Sequence, residues 1–499
     1  MIADLRRSAA SSEMLIALVI TCNVAVLAVL SDWTLVGIIV GGGVGLVLVY
    51  LMIRWAWLIP VLVIVGFALQ PALKFYISDG FGPAKDAAVV IAIAALLASF
   101  LRRRWGLDAP GPALARPDLP LLLGTLAFIA LYTLNPAGDH GTDWANGARL
   151  VVEAFALLLI GYLGPNPMRT WRWVVIAVLV MAVVETVAGI AEQLIGVNGL
   201  VQNFGYVYGE QVRQVAGGAL RSFGTLDDPF NYAALVLLGF IVAIHARLPR
   251  ALQMALALFL TVGVVVSFDR TDIVLLILAA AMWMARRHLN VPAIAVVVGA
   301  LLLGAAYVGT NDLNPVAQGS SSATSTLLSL NGRLDAWGTV LADPGNLLGG
   351  AGVGVTGAGA ARSQVTGIVS TGHFQTGINT PVAPSNVLAT LDSSYLATLS
   401  DVGLIGLLLL LFIAARMVIL AARGCRMGAN AGWVALGTAG LLLLDATTRS
   451  SLTGFPFGYI GLYVLGASLA AAQVEAVTQR VRAPVTPRSA SWPLTEPAT

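Results

Sequence analysis

Apolar runs fill most of this chain, separated by short polar turns. They occupy positions 13–30, 34–53, 55–72, 86–101, 119–135, 149–164, 172–195, 230–246, 251–268, 272–285, 291–308, 394–415, 430–447 and 456–474. A membrane-crossing helix takes roughly 17–25 apolar residues, so the shorter runs must draw on their flanks. The pattern predicts an all-α, polytopic integral membrane protein with about fourteen transmembrane helices, twelve at the fewest. The start, Met1 to Ser31, has Arg6-Arg7 followed by an apolar run without a clear small-x-small cleavage site, so it reads as an uncleaved first helix. Gly37, Gly41 and Gly45 repeat at four-residue spacing, which suits close helix packing.

Charge sets the expected orientation. With both termini inside, 19 of the 28 Lys and Arg residues fall in cytoplasmic segments, among them Arg102-Arg103-Arg104, Arg247, Arg286 and Arg416. Nine fall on the other side, including Arg213, Arg221, Arg270, Arg333, Arg362 and Arg449. Charges kept on the side that the bias disfavours point to chemistry, and guanidinium groups match phosphate best.

Two outer segments are long, 196–228 and 309–391. The second is expected to carry a surface amphipathic helix, because Leu327, Leu330, Leu334, Trp337 and Leu341 share one helical face. Asp343-Pro344-Gly345 is expected to end that helix, and a glycine-rich stretch follows. The chain divides into an N-terminal helical part (1–220), a core with the large loop (221–475) and a disordered cytoplasmic tail (476–499).

Composition narrows the class. The chain has 499 residues, 58% hydrophobic and 11% charged, with mean hydropathy +0.85. That excludes a soluble domain of this size. The net charge of +3 is spread over loops and gives no nucleic-acid footprint. Cys22 and Cys425 lie too far apart in the expected topology to pair.

Several segments carry candidate chemistry. Gly352-Val353-Gly354-Val355-Thr356-Gly357 matches G-x-G-x-x-G, but no strand precedes it, so it reads as a flexible loop. Arg221 to Pro229 ends the first long loop. Asp228-Pro229 suits a helix start, and Arg221 reads either as incidental or as a group at a cavity mouth. In Ser267-Phe268-Asp269-Arg270-Thr271-Asp272, one arginine is flanked by two carboxylates. It reads as a surface ion pair or as a cation that Asp269 or Asp272 holds toward a ligand. Arg333 opens the surface helix, the unfavourable end for a cation. Asp392 precedes Ser393-Ser394-Tyr395 at a helix start, as a cap or a general base. His140 and His373 stand alone, and no ligand spacing for a metal is present.

Taken in order, R-x-x-G-T-x-x-x-P, S-F-x-R, G-R-x-x-x-W, a glycine-rich loop and D-S-S-Y-L-x-x-L-x-x-x-G-L-I-G resemble the bacterial O-antigen ligase and polymerase family. The match spans Arg221 to Leu411. The resemblance implies an enzyme of the bacterial cytoplasmic membrane whose site faces the periplasm. It would join glycans carried on undecaprenyl pyrophosphate, without cofactor or metal. Its partners would be a lipid-linked donor and acceptor, the bilayer and other polysaccharide-assembly proteins. The pyrophosphate-binding role carries over to Arg221, Arg270 and Arg333, with Arg213 and Arg449 in reserve, supported by Asp269, Asp272 and Tyr395. Ligases of the family typically carry His where this chain has Asp392, so polymerisation is favoured over ligation, and Asp392 is the expected base. A flippase of lipid-linked oligosaccharides is the main rival. It would more often show internal repeats, and none is evident.

Overall fold

A computed structural model describes residues 58–77, 83–104, 117–135, 141–208, 211–214, 219–226, 228–286, 344–354 and 393–482, with a few single positions besides. The helices are α1 (Leu58–Tyr76), α2 (Ala84–Arg104), α3 (Leu119–Leu134), α4 (Thr142–Tyr162), α5 (Pro167–Phe204), α6 (Pro229–His245), α7 (Arg250–Val266), α8 (Arg270–Arg286), α9 (Pro344–Gly349), α10 (Ser394–Arg426), α11 (Asn430–Asp445) and α12 (Phe457–Arg482). A two-stranded antiparallel ribbon, β1 (Arg213–Gln214) and β2 (Leu220–Arg221), sits between α5 and α6.

Among the described residues, six helices are long and apolar enough to cross a membrane: α1, α2, α4, α5, α10 and α12. Three shorter apolar helices, α3, α6 and α7, pack among them. The expected runs at 13–30, 34–53 and 291–308 lie outside the described residues, as do the Gly37–Gly45 repeat and the surface-helix positions Leu327 to Leu341. The other eleven runs each fall on a helix.

Several boundaries differ from the expected ones. The segment taken as the start of a loop at 196 stays helical to Phe204 after a kink at Gly196. Pro344, expected to close a helix, opens one; proline's fixed φ and missing N–H suit a helix's first position. The last helix runs to Arg482, well past 476. One buried cluster draws on residues from Ile59 to Ala472, and a second, smaller one at the ribbon holds Leu200, Tyr206, Val212, Leu220 and Phe223.

α12 is the central helix, and most of its apolar window is buried. It packs against α4, α11 and α5. Its approach to α4 is backbone on backbone: a Cβ added at Gly466 would lie 2.1 Å from the Leu158 carbonyl, and one at Gly161 would lie 2.3 Å from the Tyr463 carbonyl. Without a hydrophobic drive inside lipid, such close packing supplies the attraction. α10 kinks at Gly403. Two freed carbonyls there find new donors, Ser400 from the Ala351 N–H at 2.7 Å and Asp401 from the Asn135 amide at 2.8 Å. The described half of the glycine-rich stretch, Gly350–Gly354, is therefore packed against α10 and α4 rather than free.

Four segments assigned to one side by charge are bonded together at one end of the bundle. There Arg247 bonds Glu475 at 2.5 Å and Arg286 bonds Asn430 at 2.5 Å, which joins the α6–α7 and α10–α11 turns to the ends of α8 and α12. The opposite end holds the β1–β2 ribbon, the α7–α8 turn, the start of α10 and the α11–α12 connection.

Inside the bundle, Lys85 is 4% exposed and donates to Glu153 at 2.9 Å, where Tyr459 also donates at 2.9 Å. Asp86 bridges Lys85 at 2.8 Å and Arg149 at 2.7 Å. Removing one partner of such a buried pair leaves an uncompensated charge, whereas removing both does not. Lys85→Met is expected to cost about 3–5 kcal/mol, and Lys85→Met with Glu153→Leu to recover most of it. Thermal unfolding in detergent checks this; a double variant no more stable than Lys85→Met shows that the two are not one unit.

Candidate functional site

Three arginines from three separate segments converge on one aromatic ring. The guanidinium carbons of Arg449, Arg221 and Arg213 lie 4.4, 4.8 and 5.7 Å from the centre of the Phe230 ring. The ring's negative face attracts cations, so it serves as a common platform.

The ribbon explains two of them. Arg213 and Arg221 are direct partners across β1 and β2, which places both side chains on one face. Like charges in that position repel, so the pairing has a cost that an anion between them would relieve. Burial lowers the proton affinity of Arg221; Asp269 opposes that, while Arg213 and Arg449 add to it.

The segment after β2 accounts for the R-x-x-G-T spacing. The Ser222 hydroxyl donates to the Gly189 carbonyl at 2.8 Å, and the Phe223 N–H donates to Glu192 at 2.9 Å. Thr225 gives both its N–H, at 2.9 Å, and its hydroxyl, at 2.5 Å, to Glu185. Gly224 adopts φ +60°, and a Cβ there would lie 2.2 Å from a Glu185 oxygen. Only glycine fits, both sterically and conformationally.

Arg449 follows α11 and is clasped by carboxylates. It bonds Asp269, Asp272 at 3.0 Å and Asp445 at 3.2 Å. All three acids are buried. Burial alone would lower the proton affinity of Arg449, but Asp269, Asp272 and Asp445 outweigh it and the net shift is upward. The Arg449 connection is also stitched to the start of α10. The Ser394 N–H and hydroxyl each donate to the Arg449 carbonyl at 3.0 Å, and the Ser393 hydroxyl donates to the Ala446 carbonyl at 3.3 Å.

A cleft of about 230 Å³ opens beside the ring, lined by Asp228, Phe230, Asn231, Asp445, Arg449 and Ser451 among others. Asp228 caps α6 by accepting from the Asn231 N–H at 3.2 Å, with Pro229 in the first helical position, as the sequence predicts. Burial raises the Asp228 carboxyl above its ordinary range, against the pull of Arg213. The described residues contain no group of three or more His, Cys, Asp or Glu placed to hold a metal ion.

The structure thus gathers Arg213, Arg221 and Arg449, but not every expected site residue. Arg270 opens α8, half-buried, and is not among the three cations at Phe230. Asp269 and Asp272, one of which could have held Arg270 on one of the two readings of that turn, both hold Arg449. Positions three apart share a helical face, whereas Arg270 is turned about 100° from Asp269. Tyr395 donates its hydroxyl to the Leu443 carbonyl at 2.8 Å, which ties α10 to α11. The α10 cap position is Ser393 rather than Asp392, and Ser393 makes no side-chain cap bond. Asp392, Arg333, Arg362, His140 and His373 lie outside the described residues.

Sequence reasoning passed over Glu185, Glu192 and Gln193, which sit inside the run 172–195. The signal was present: two carboxylates in an otherwise apolar membrane-length helix mark function by default. No family model matches this chain, and no curated protein matches it.

The clasp and the ribbon predict different losses. Arg449→Leu leaves three buried carboxylates facing one another and is expected to cost about 3–5 kcal/mol. Arg221→Ala gives up a 3.4 Å bond to the Ser267 carbonyl, worth about 1 kcal/mol. Unfolding curves of the two variants in detergent check this; equal stability removes the structural role given to Arg449.

Proposed function

We propose that this chain is a membrane glycosyltransferase of the O-antigen ligase and polymerase type, acting on glycans carried by undecaprenyl pyrophosphate. The observation that carries the reading is the convergence of Arg213, Arg221 and Arg449 on Phe230 beside a cleft. Cations gathered at the end of an apolar bundle suit a ligand whose diphosphate lies at the membrane surface and whose tail lies in lipid.

In the reaction, a sugar hydroxyl of one lipid-linked oligosaccharide attacks the anomeric carbon of another. The new glycosidic bond forms as the bond from that carbon to the pyrophosphate oxygen breaks. The electron pair leaves with undecaprenyl pyrophosphate. Charge on the leaving oxygen grows toward the transition state, so fixed guanidinium groups stabilise that state more than the ground state. Arg221 and Arg213 are suited to this role, because the ribbon carries both guanidinium groups to the Phe230 ring. Arg449, held by three carboxylates, fixes the geometry. Arg270 and Arg333 are kept as further diphosphate contacts from the family resemblance.

Asp392 would accept the proton of the attacking hydroxyl. Its chain neighbours Ser393 and Ser394 are bonded to the connection that carries Arg449, which supports a role near the cations. The D-S-S-Y-L stretch, with Asp in place of the ligases' usual His, favours polymerisation over ligation to a lipid A–core acceptor. The site is expected to face the periplasm, as the charge bias implies.

The test is a reconstitution with lipid-linked repeat units. Arg221→Ala is expected to lower turnover by on the order of 100-fold or more, and Asp392→Asn to abolish it. A deletion strain should accumulate single lipid-linked repeats. Accumulation of finished chains would make the enzyme a ligase, and full-length glycan from Arg221→Ala would remove the diphosphate role.

A further inference from the structure

The geometry points to a positioning role for Glu185, Glu192 and Gln193 of α5: they form a latch that seats Arg221 in the anion site without touching its side chain. This rests on the function proposed above and deepens it.

α5 is among the most apolar of the described helices. Ionisable groups in such a helix are expensive and usually pair with a cation or line an aqueous path. Glu185 and Glu192 do otherwise. Both are buried, and the bonds they accept come from one short segment, Phe223 to Thr225. Gly189 contributes its carbonyl to Ser222. Gln193 donates to the Leu220 carbonyl at 2.7 Å, to the Ser222 hydroxyl at 2.8 Å and to the Val266 carbonyl at 3.2 Å. Positions 185, 189, 192 and 193 follow helical spacing, so α5 offers one continuous polar stripe to one loop.

The stripe fixes the chain on both sides of Arg221. The carbonyl before it is held by Gln193, and the residue after it is held through Ser222 by Gly189, Gln193 and the Val266 carbonyl, which accepts the Ser222 N–H at 3.2 Å. The fixed backbone then sets where the guanidinium meets Phe230. A group that acts on a charged ligand is sensitive to its placement, and a shift of about 1 Å costs on the order of 100-fold. A carboxyl group suits this task because each of its oxygens can accept more than one bond.

The test uses the full chain in nanodiscs, with inorganic pyrophosphate as the probe. Glu192→Leu is expected to speed hydrogen exchange of the 220–226 segment and to weaken pyrophosphate binding roughly 10- to 100-fold. Glu192→Gln keeps an acceptor for the Phe223 N–H and should stay within about threefold of wild type. In an Arg221→Ala background, Glu192→Leu should weaken binding no further, because coupled residues do not add. Where Glu192→Leu fails to accumulate, Gln193→Met is read the same way. Faster exchange with unchanged binding overturns the positioning role, as do unchanged exchange or losses that add in the double variant. A wild type that binds no pyrophosphate ends the proposed function and the latch with it, whereas binding by wild type and Glu192→Leu alike ends the latch alone.

Discussion

One guanidinium against three buried carboxylates organises the end of this bundle that holds the candidate site. Arg449 joins Asp269 and Asp272, at the start of α8, to Asp445, at the end of α11. No member of the set is tolerable without the others. The acids repel one another, and the cation by itself would be stranded in a region that excludes water. The same connection is bonded to Ser393 and Ser394, so α10 joins the assembly at its first turn. Three helices and one connection thus meet through a single side chain, and the cleft lies between that connection and the start of α6.

Against this fixed corner stands a second device of different construction. The Arg221 segment is held by backbone groups given to α5, and the ribbon carries Arg213 alongside. Phe230 connects the two, because its ring takes Arg449 from one side of the assembly and Arg213 and Arg221 from the other. The division of labour has a physical basis. A cation surrounded by carboxylates is neutralised and serves structure, whereas two cations paired across a ribbon repel each other and gain from an anion between them. The proposed diphosphate site follows from that asymmetry.

Much of the helical layout was legible because the bilayer imposes a simple rule. Backbone groups in hydrocarbon must be satisfied within a helix, so long apolar runs have few alternatives. Asp228-Pro229 was readable as a helix start for a similarly local reason. The ends were less legible. α5 continues past Gly196, and α12 continues to Arg482, because helices extend wherever the chain keeps bonding, whether or not it stays apolar. The arginines were visible as exceptions to a charge bias, but the bias carries no information about which of them meet.

What the sequence determined by itself is the class: apolar periodicity and sparse charge require a helical bundle in a membrane, and the expected sides of the loops follow from where Arg falls. What only the tertiary structure decided is the partnership of charges. Arg270 lies next to Asp269 in the chain, yet Asp269 serves Arg449, 180 positions away. Glu185 and Glu192 sit in a run that reads as a membrane-crossing helix, yet they hold the backbone of a loop 31 to 40 positions further on. The reason is the range of the forces involved. Helix formation is settled within a few neighbouring residues, whereas a buried charge is settled by whatever the packing of distant helices brings within about 3 Å.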